Sequence, residues 1–150
     1  MSFEEKTTWV YAVIAAVVPA VYFTVILERL DHAPIADIAY QRPLLIAIGA
    51  SIVLSIIGAI LMAIGTSIMA EITGSGSIDE IDKKDERDVH INQRGELVGY
   101  YVTSAGVVGV LALTMLEYEH FWIANALYLT FAVAAVVSSA VKLVAYRRGF

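Results

Sequence analysis

The chain has 150 residues, of which 59% are hydrophobic, and its formal net charge at pH 7 is −5. Soluble domains are about 45–50% apolar, so this composition excludes an ordinary soluble domain. The sequence contains no cysteine, which excludes disulfide bonds, thiolate metal sites and cysteine nucleophiles.

Four apolar blocks follow one another along the chain, at residues 8–27, 43–70, 97–116 and 121–146. The first three contain no charged side chain, and the fourth contains only Lys142. A helix needs roughly 20 apolar residues to cross a bilayer, and none of these blocks has the polar stripe of a helix in a soluble bundle. The sequence therefore predicts an all-α integral membrane four-helix bundle, made of two helical hairpins in one transmembrane domain of residues 1–150.

Small side chains recur every four residues in the predicted spans. In lipid, close helix contact depends on small residues, because the hydrophobic effect no longer drives helices together. We expect these positions to lie at helix contacts, either within the bundle or in a homo-oligomer. The predicted packing residues of the second and third spans are Ser51, Ser55, Ala59, Ala63, Gly95 and Gly99.

A dense mixed-charge segment lies between the second and third blocks. Ser77 and Glu80 have the spacing of a helix capping box, and opposite charges four residues apart follow, as in Asp79 and Lys83. We expect a charged helix over residues 78–94 that continues into the third span, with Gly95 as a bend. It is either a solvated helix that sets the topology or a docking surface for a partner. The predicted docking residues are Asp85, Glu86, Arg87, Asp88 and Arg94.

The Lys and Arg residues divide unequally between the two membrane faces. With four spans, both termini and the charged segment share one face, which holds eight of the ten Lys and Arg residues. The other face holds only Arg29 and Arg42. Short loops rich in Lys and Arg remain cytoplasmic, so we expect the N-terminus, the charged helix and the C-terminus to be cytoplasmic.

The two turns on the other face resemble each other in sequence. Glu28 and His32 in the first turn correspond to Glu117 and His120 in the second. Such an echo is typical of two hairpins related as a parallel repeat. Pseudo-symmetry would bring these imidazoles and carboxylates together, and that donor set suits zinc or another transition metal. The alternative is that all four are interfacial polar residues that mark the ends of the spans.

The predicted spans hold few groups that could do chemistry. No Asp, Glu, Arg or His lies mid-span, whereas ion-coupled transporters usually keep such groups. The sequence has no nucleophile elbow, Walker loop or H-E-x-x-H motif, so we expect no enzyme activity. A transporter or channel-forming homo-oligomer stays open as an alternative. Its pore would be lined by Ser51, Ser55, Thr103 and Asn125.

Several short stretches carry a resemblance to a known family. They are Asp85-Glu86-Arg87-Asp88, Ile91, Arg94-Gly95-Glu96, Gly99-Tyr100-Tyr101, Phe121-Trp122-Ile123-Ala124-Asn125-Ala126 and the ending Lys142 to Gly149. These stretches and their positions resemble a family of uncharacterised prokaryotic membrane proteins, catalogued as domain of unknown function 2178. The resemblance covers about half to two-thirds of the chain.

The resemblance implies a small multi-pass protein of the prokaryotic inner membrane, paired with a helix-turn-helix regulator, and it brings no catalytic residues. The leading hypothesis is a binding, regulatory or accessory subunit that meets a cytoplasmic regulator or a larger membrane complex through its charged segment. We expect no direct contact with nucleic acid. Outer-face metal binding through His32, His120, Glu28 and Glu117 is the third hypothesis; otherwise no cofactor is expected.

Overall fold

The computed structural model of the protein describes residues 3–73 and 86–148. This part of the chain contains four long helices: α1 (Phe3–Leu30), α2 (Gln41–Thr73), α3 (Glu86–Met115) and α4 (His120–Arg148). A one-turn 3₁₀ helix, Ile35–Asp37, lies between α1 and α2. All four long helices are long and apolar enough to cross a membrane. The prediction of an all-helical chain with four candidate spans is therefore confirmed.

All four helices extend beyond the apolar blocks that predicted them. α1 begins at Phe3 and ends at Leu30, on both sides of residues 8–27. Glu4 and Glu5 lie in its first turn and Arg29 in its last, where the helix dipole favours these charges. α3 differs most, because it begins at Glu86 and runs unbroken into the apolar block that starts at residue 97.

Three pairs of helices pack against each other. α1 contacts both α2 and α4, and α4 also contacts α3 along the most extensive of the three seams. Within the described residues, no comparable contact joins α2 to α3. The helices therefore lie in a row, in the order α2, α1, α4, α3, and the α1–α2 and α3–α4 hairpins meet through α1 and α4.

Glycines bring α3 close to α4 along their seam. Gly95 packs under the aliphatic stem of Lys142, and Gly106 packs against Thr130. Between them, a Cβ atom placed on Gly99 would lie 3.1 Å from Ser138 Cβ and 3.5 Å from the Ala134 carbonyl oxygen. Tight packing of this kind holds helices together in lipid, so the absence of side chains at these three positions determines how near the two helices lie.

A buried apolar cluster joins α1, α2, α4 and the α1–α2 loop at one end of the molecule. It consists of Tyr22, Ile26, Ile38, Ala47 and Phe121. The Tyr22 hydroxyl donates a hydrogen bond of 2.8 Å to Asn125 Oδ1. Asn125 Nδ2 in turn donates to the Phe121 carbonyl oxygen, also at 2.8 Å. Buried polar groups are costly unless they are paired, and here both side chains are paired across the α1–α4 seam.

Candidate functional site

The start of α1, the start of α3 and the end of α4 meet at the end of the molecule opposite that cluster. Arg87 Nη2 of α3 donates to the Tyr146 carbonyl oxygen of α4 at 3.4 Å. The Arg147 guanidinium of α4 lies 5.6 Å from the centroid of the Trp9 ring of α1, within the range of a cation–π contact. We call residues 3–9, 86–96 and 142–148 the charged end.

The charged residues at the start of α3 are held on the bundle by one apolar anchor. Ile91 is only 1% exposed, whereas Glu86, Val89 and His90 on the same helical turns are exposed. A helix that begins with this pattern buries one side and offers the other to solvent or to a partner. Because α3 is unbroken from Glu86 to Met115, this polar surface is continuous with a helix that is long and apolar enough to cross a membrane.

Acidic groups from two helices surround a tyrosine hydroxyl at the charged end. The Tyr146 hydroxyl is buried, and within the described ranges no group meets the geometry of a hydrogen bond to it. The Asp88 carboxylate of α3 lies close to it, and the carboxylates of Glu4 and Glu5 of α1 lie within electrostatic range. The three helix ends therefore share one electrostatic environment.

The single charged residue of the fourth block is paired with a residue of α3. Lys142 Nζ lies 3.7 Å from Glu96 Oε1, and the Lys142 side chain is 16% exposed while that of Glu96 is 73% exposed. The lysine stem covers Gly95, and its ammonium group reaches toward the exposed carboxylate. A long side chain that buries its stem and extends its charge to the membrane boundary behaves as the snorkelling lysines of membrane proteins do.

Of the predicted docking residues, the structure places four. Glu86, Arg87 and Arg94 are exposed, and Asp88 is half-buried beside Tyr146. Asp85 and the predicted charged helix over residues 78–85 lie outside the described residues. Residues 86–94 form the first turns of α3, as the predicted continuation into the third span requires, and the helix does not end at Gly95.

The predicted packing residues divide into two groups. Gly95 and Gly99 are buried in the α3–α4 seam. In α2, Ser51, Ser55 and Ala59 are half-buried and Ala63 is exposed. The close approach of α2 to α1 occurs instead at Gly58, where a Cβ atom would lie 2.7 Å from Val10 Cγ1.

A cavity of about 650 Å³ lies between α1, α2 and α4, and its walls are almost entirely apolar. Ser51 and Ser55 line it, but Thr103 and Asn125 do not. The Ser51 hydroxyl donates to the Ala47 carbonyl oxygen of its own helix at 2.9 Å, and Asn125 is engaged by Tyr22. The four polar residues predicted for a pore do not line one path through the single chain.

The residues predicted to bind a metal lie on the turns at the opposite end. His32 Nδ1 is 2.8 Å from the Glu28 carbonyl oxygen, so this ring hydrogen-bonds to its own helix. Glu117 adopts a left-handed backbone conformation with φ of 55°, and His120 is the first residue of α4. Within residues 3–73 and 86–148, no group of three or more His, Asp or Glu side chains is arranged to hold a metal ion.

Two structural residues were not singled out by sequence reasoning. Gly58 forms the α1–α2 approach, and Tyr22 pairs with Asn125. Both roles depend on which faces of different helices meet. Ile91, which carries part of the family resemblance, anchors the charged start of α3.

No protein-family model, curated protein or solved structure matches the chain. The resemblance to the domain of unknown function 2178 family stays a prediction.

Proposed function

We propose that this chain is a non-catalytic multi-pass protein of the prokaryotic inner membrane, a binding, regulatory or accessory subunit that docks a partner at its charged end. The observation that carries the proposal is the start of α3, where Glu86, Val89 and His90 are exposed while Ile91 is buried. A polar surface fixed to a membrane-crossing helix loses little conformational entropy on binding. The resemblance stated above favours a cytoplasmic helix-turn-helix regulator as the partner.

Docking to a cytoplasmic partner requires the charged end to face the cytoplasm. Because the chain has no cysteine, single substitutions Glu86→Cys and Glu119→Cys provide unique labelling sites at opposite ends. In intact cells, we expect a membrane-impermeant maleimide to label Glu119→Cys and to label Glu86→Cys only after the cells are opened. Labelling of Glu86→Cys in intact cells would show that the charged end faces outward. It would therefore exclude docking of a cytoplasmic partner at this end.

Charge reversal tests the docking surface itself. The triple variant Glu86→Lys, Arg87→Glu and Asp88→Lys inverts two exposed charges and the half-buried Asp88, while Ile91, the anchor, is kept. Partners crosslinked to the wild-type chain in native membranes should fall by about tenfold or more, because like charges then oppose each other across the interface. Quantitative mass spectrometry of crosslinked membranes measures the loss.

The matched control reverses charge at the other end, by Glu117→Lys and Glu119→Lys, and should keep the wild-type partners. The same partners at the same abundance in the charge-reversed triple variant would refute docking through this surface. Both variants are compared at equal amounts of membrane-inserted chain, so that a loss of folding is not read as a loss of docking.

A further inference from the structure

A groove between α3 and α4 at the charged end combines an apolar floor with two arginines. It has a volume of about 460 Å³. The floor comes from α4, and Arg94 of α3 and Arg148 of α4 complete the lining. The apolar lining residues are Val137, Ala140, Val141, Val144 and Ala145.

The groove runs from the membrane boundary toward the middle of the bilayer. Arg148 lies just beyond the apolar block 121–146, and Arg94 lies just before the block 97–116, so both belong at headgroup level. From Arg148 to Val137, helix α4 descends about 16 Å at roughly 1.5 Å per residue. The groove therefore has a cationic mouth at the headgroups and an apolar floor at the depth of the acyl chains.

Three further cations of the charged end have contacts within the protein. Arg87 donates to the Tyr146 carbonyl oxygen, Lys142 pairs with Glu96, and Arg147 lies over Trp9. Arg148 follows Arg147 directly, but it lines the groove. Within residues 3–73 and 86–148, it has no hydrogen-bond or ion-pair partner.

Arginine is suited to hold a phosphate at such a mouth. Its guanidinium carries five N–H donors in a planar fork, which bind phosphate oxygens in pairs and still leave donors for protein groups. Basic pockets between transmembrane helices at the membrane boundary are a recurring way to bind anionic headgroups. The positive mouth and the apolar floor together match a molecule that has a phosphate and an acyl chain.

We propose that this groove binds one anionic phospholipid, with its phosphate at Arg94 and Arg148 and one acyl chain along Val137, Val141 and Val144. The inference goes beyond docking of a protein partner. It requires only that these arginines lie at headgroup level, whichever leaflet that is. A protein helix in the groove would offer no phosphate to the two guanidinium groups.

Native mass spectrometry of the purified full chain tests the proposal, with phosphatidylglycerol and phosphatidylcholine as probes. Wild-type protein should retain one phosphatidylglycerol in preference to phosphatidylcholine. The double variant Arg94→Gln and Arg148→Gln should bind phosphatidylglycerol about 30-fold more weakly, because each arginine near the surface contributes about a fivefold preference for anionic lipid.

Two matched controls separate this site from general attraction to lipid. Arg42→Gln with Arg147→Gln removes the same charge outside the groove and should keep the wild-type affinity. Ala140→Trp fills the groove while both arginines remain and should abolish the preference, whereas Ala105→Trp, at an exposed position of α3, should not. Equal binding of both lipids to wild type, or equal losses in both arginine pairs, would overturn the proposal.

The lipid-site proposal and the docking proposal can be refuted independently of each other. The charge-reversed triple variant at residues 86–88 keeps both groove arginines and should retain phosphatidylglycerol. Unchanged lipid binding in that variant, with partners lost, supports both proposals. Loss of lipid binding there would place the phosphate at residues 86–88 and overturn the groove as its site.

Discussion

Replacing Gly106 with leucine should lower the free energy of unfolding by about 3 kcal/mol, which is one of the two largest losses that we expect from a single substitution. Gly106 of α3 faces Thr130 of α4 so closely that even a Cβ atom would overlap the threonine side chain, its Cβ included. The threonine cannot turn away, because its Cβ is fixed to the backbone and its hydroxyl donates to the Ala126 carbonyl oxygen at 2.9 Å. The helices must therefore separate.

Unfolding in mixed micelles, titrated with sodium dodecyl sulfate and followed by circular dichroism, measures the loss. Gly109→Leu is the matched control, because a Cβ atom there has no neighbour within 4 Å and the added side chain faces lipid. It should be neutral or stabilising, since glycine is a poor helix former. Equal destabilisation by the two leucines would mean that Gly106 does not lie in a close helix contact.

A compensating change sharpens this test. Gly106→Ala alone should destabilise by about 1–2 kcal/mol, and adding Thr130→Ala should recover part of the loss by removing two of the three overlapping atoms. Such non-additivity is the signature of residues in direct contact. Additive effects in the double variant would contradict the α3–α4 register.

Replacing Tyr22 with alanine should cost about 3–4 kcal/mol of unfolding free energy. The ring is 4% exposed, and its centroid lies 5.2 Å from the centroids of both Phe23 and Tyr128 in edge-to-face contacts. Its removal leaves a void where α1, α2 and α4 meet and deprives Asn125 Oδ1 of its donor. Tyr22→Phe keeps the ring and should cost only about 1–2 kcal/mol, from the unpaired amide oxygen.

The same micelle titration measures both tyrosine variants. Tyr100→Ala is the control, since that ring is 66% exposed and its loss should change stability by less than about 0.5 kcal/mol. Asn125→Leu should resemble Tyr22→Phe in cost, and the double variant should cost less than the two singles summed. A Tyr22→Ala variant as stable as wild type would contradict the assignment of this cluster as the core.

Sequence reasoning succeeded where a property belongs to one helix. The apolar blocks located all four candidate spans, and the spacing of Gly95 and Gly99 located two positions of the α3–α4 seam. Small residues spaced four apart identify one face of a helix, but they do not identify the helix or cavity that this face lies against. The same reasoning placed Ser51 and Ser55 on a packing face; both are half-buried and line the cavity between α1, α2 and α4.

Contacts between side chains of different helices could not be predicted from the sequence. The Tyr22–Asn125 hydrogen bond joins residues 103 positions apart, and no local pattern pairs them. The meeting of Arg87 with Tyr146, and of Trp9 with Arg147, likewise depends on the order of helices in the row. The similarity between the two outer turns left converging metal ligands as one of two hypotheses, and the His32 ring is instead hydrogen-bonded to the Glu28 carbonyl oxygen.

The place of α2 at the end of the row has a consequence for how the protein adapts to its bilayer. Its charge-free stretch, residues 43–70, is about 42 Å long at about 1.5 Å per residue, against a hydrocarbon thickness of about 30 Å. Excess length is relieved by tilting, by kinking or by local thickening of the bilayer, and among the described residues α2 makes its one extensive helix contact with α1. We therefore expect a thinner bilayer to tilt α2 and so to change the width of the cavity that it borders.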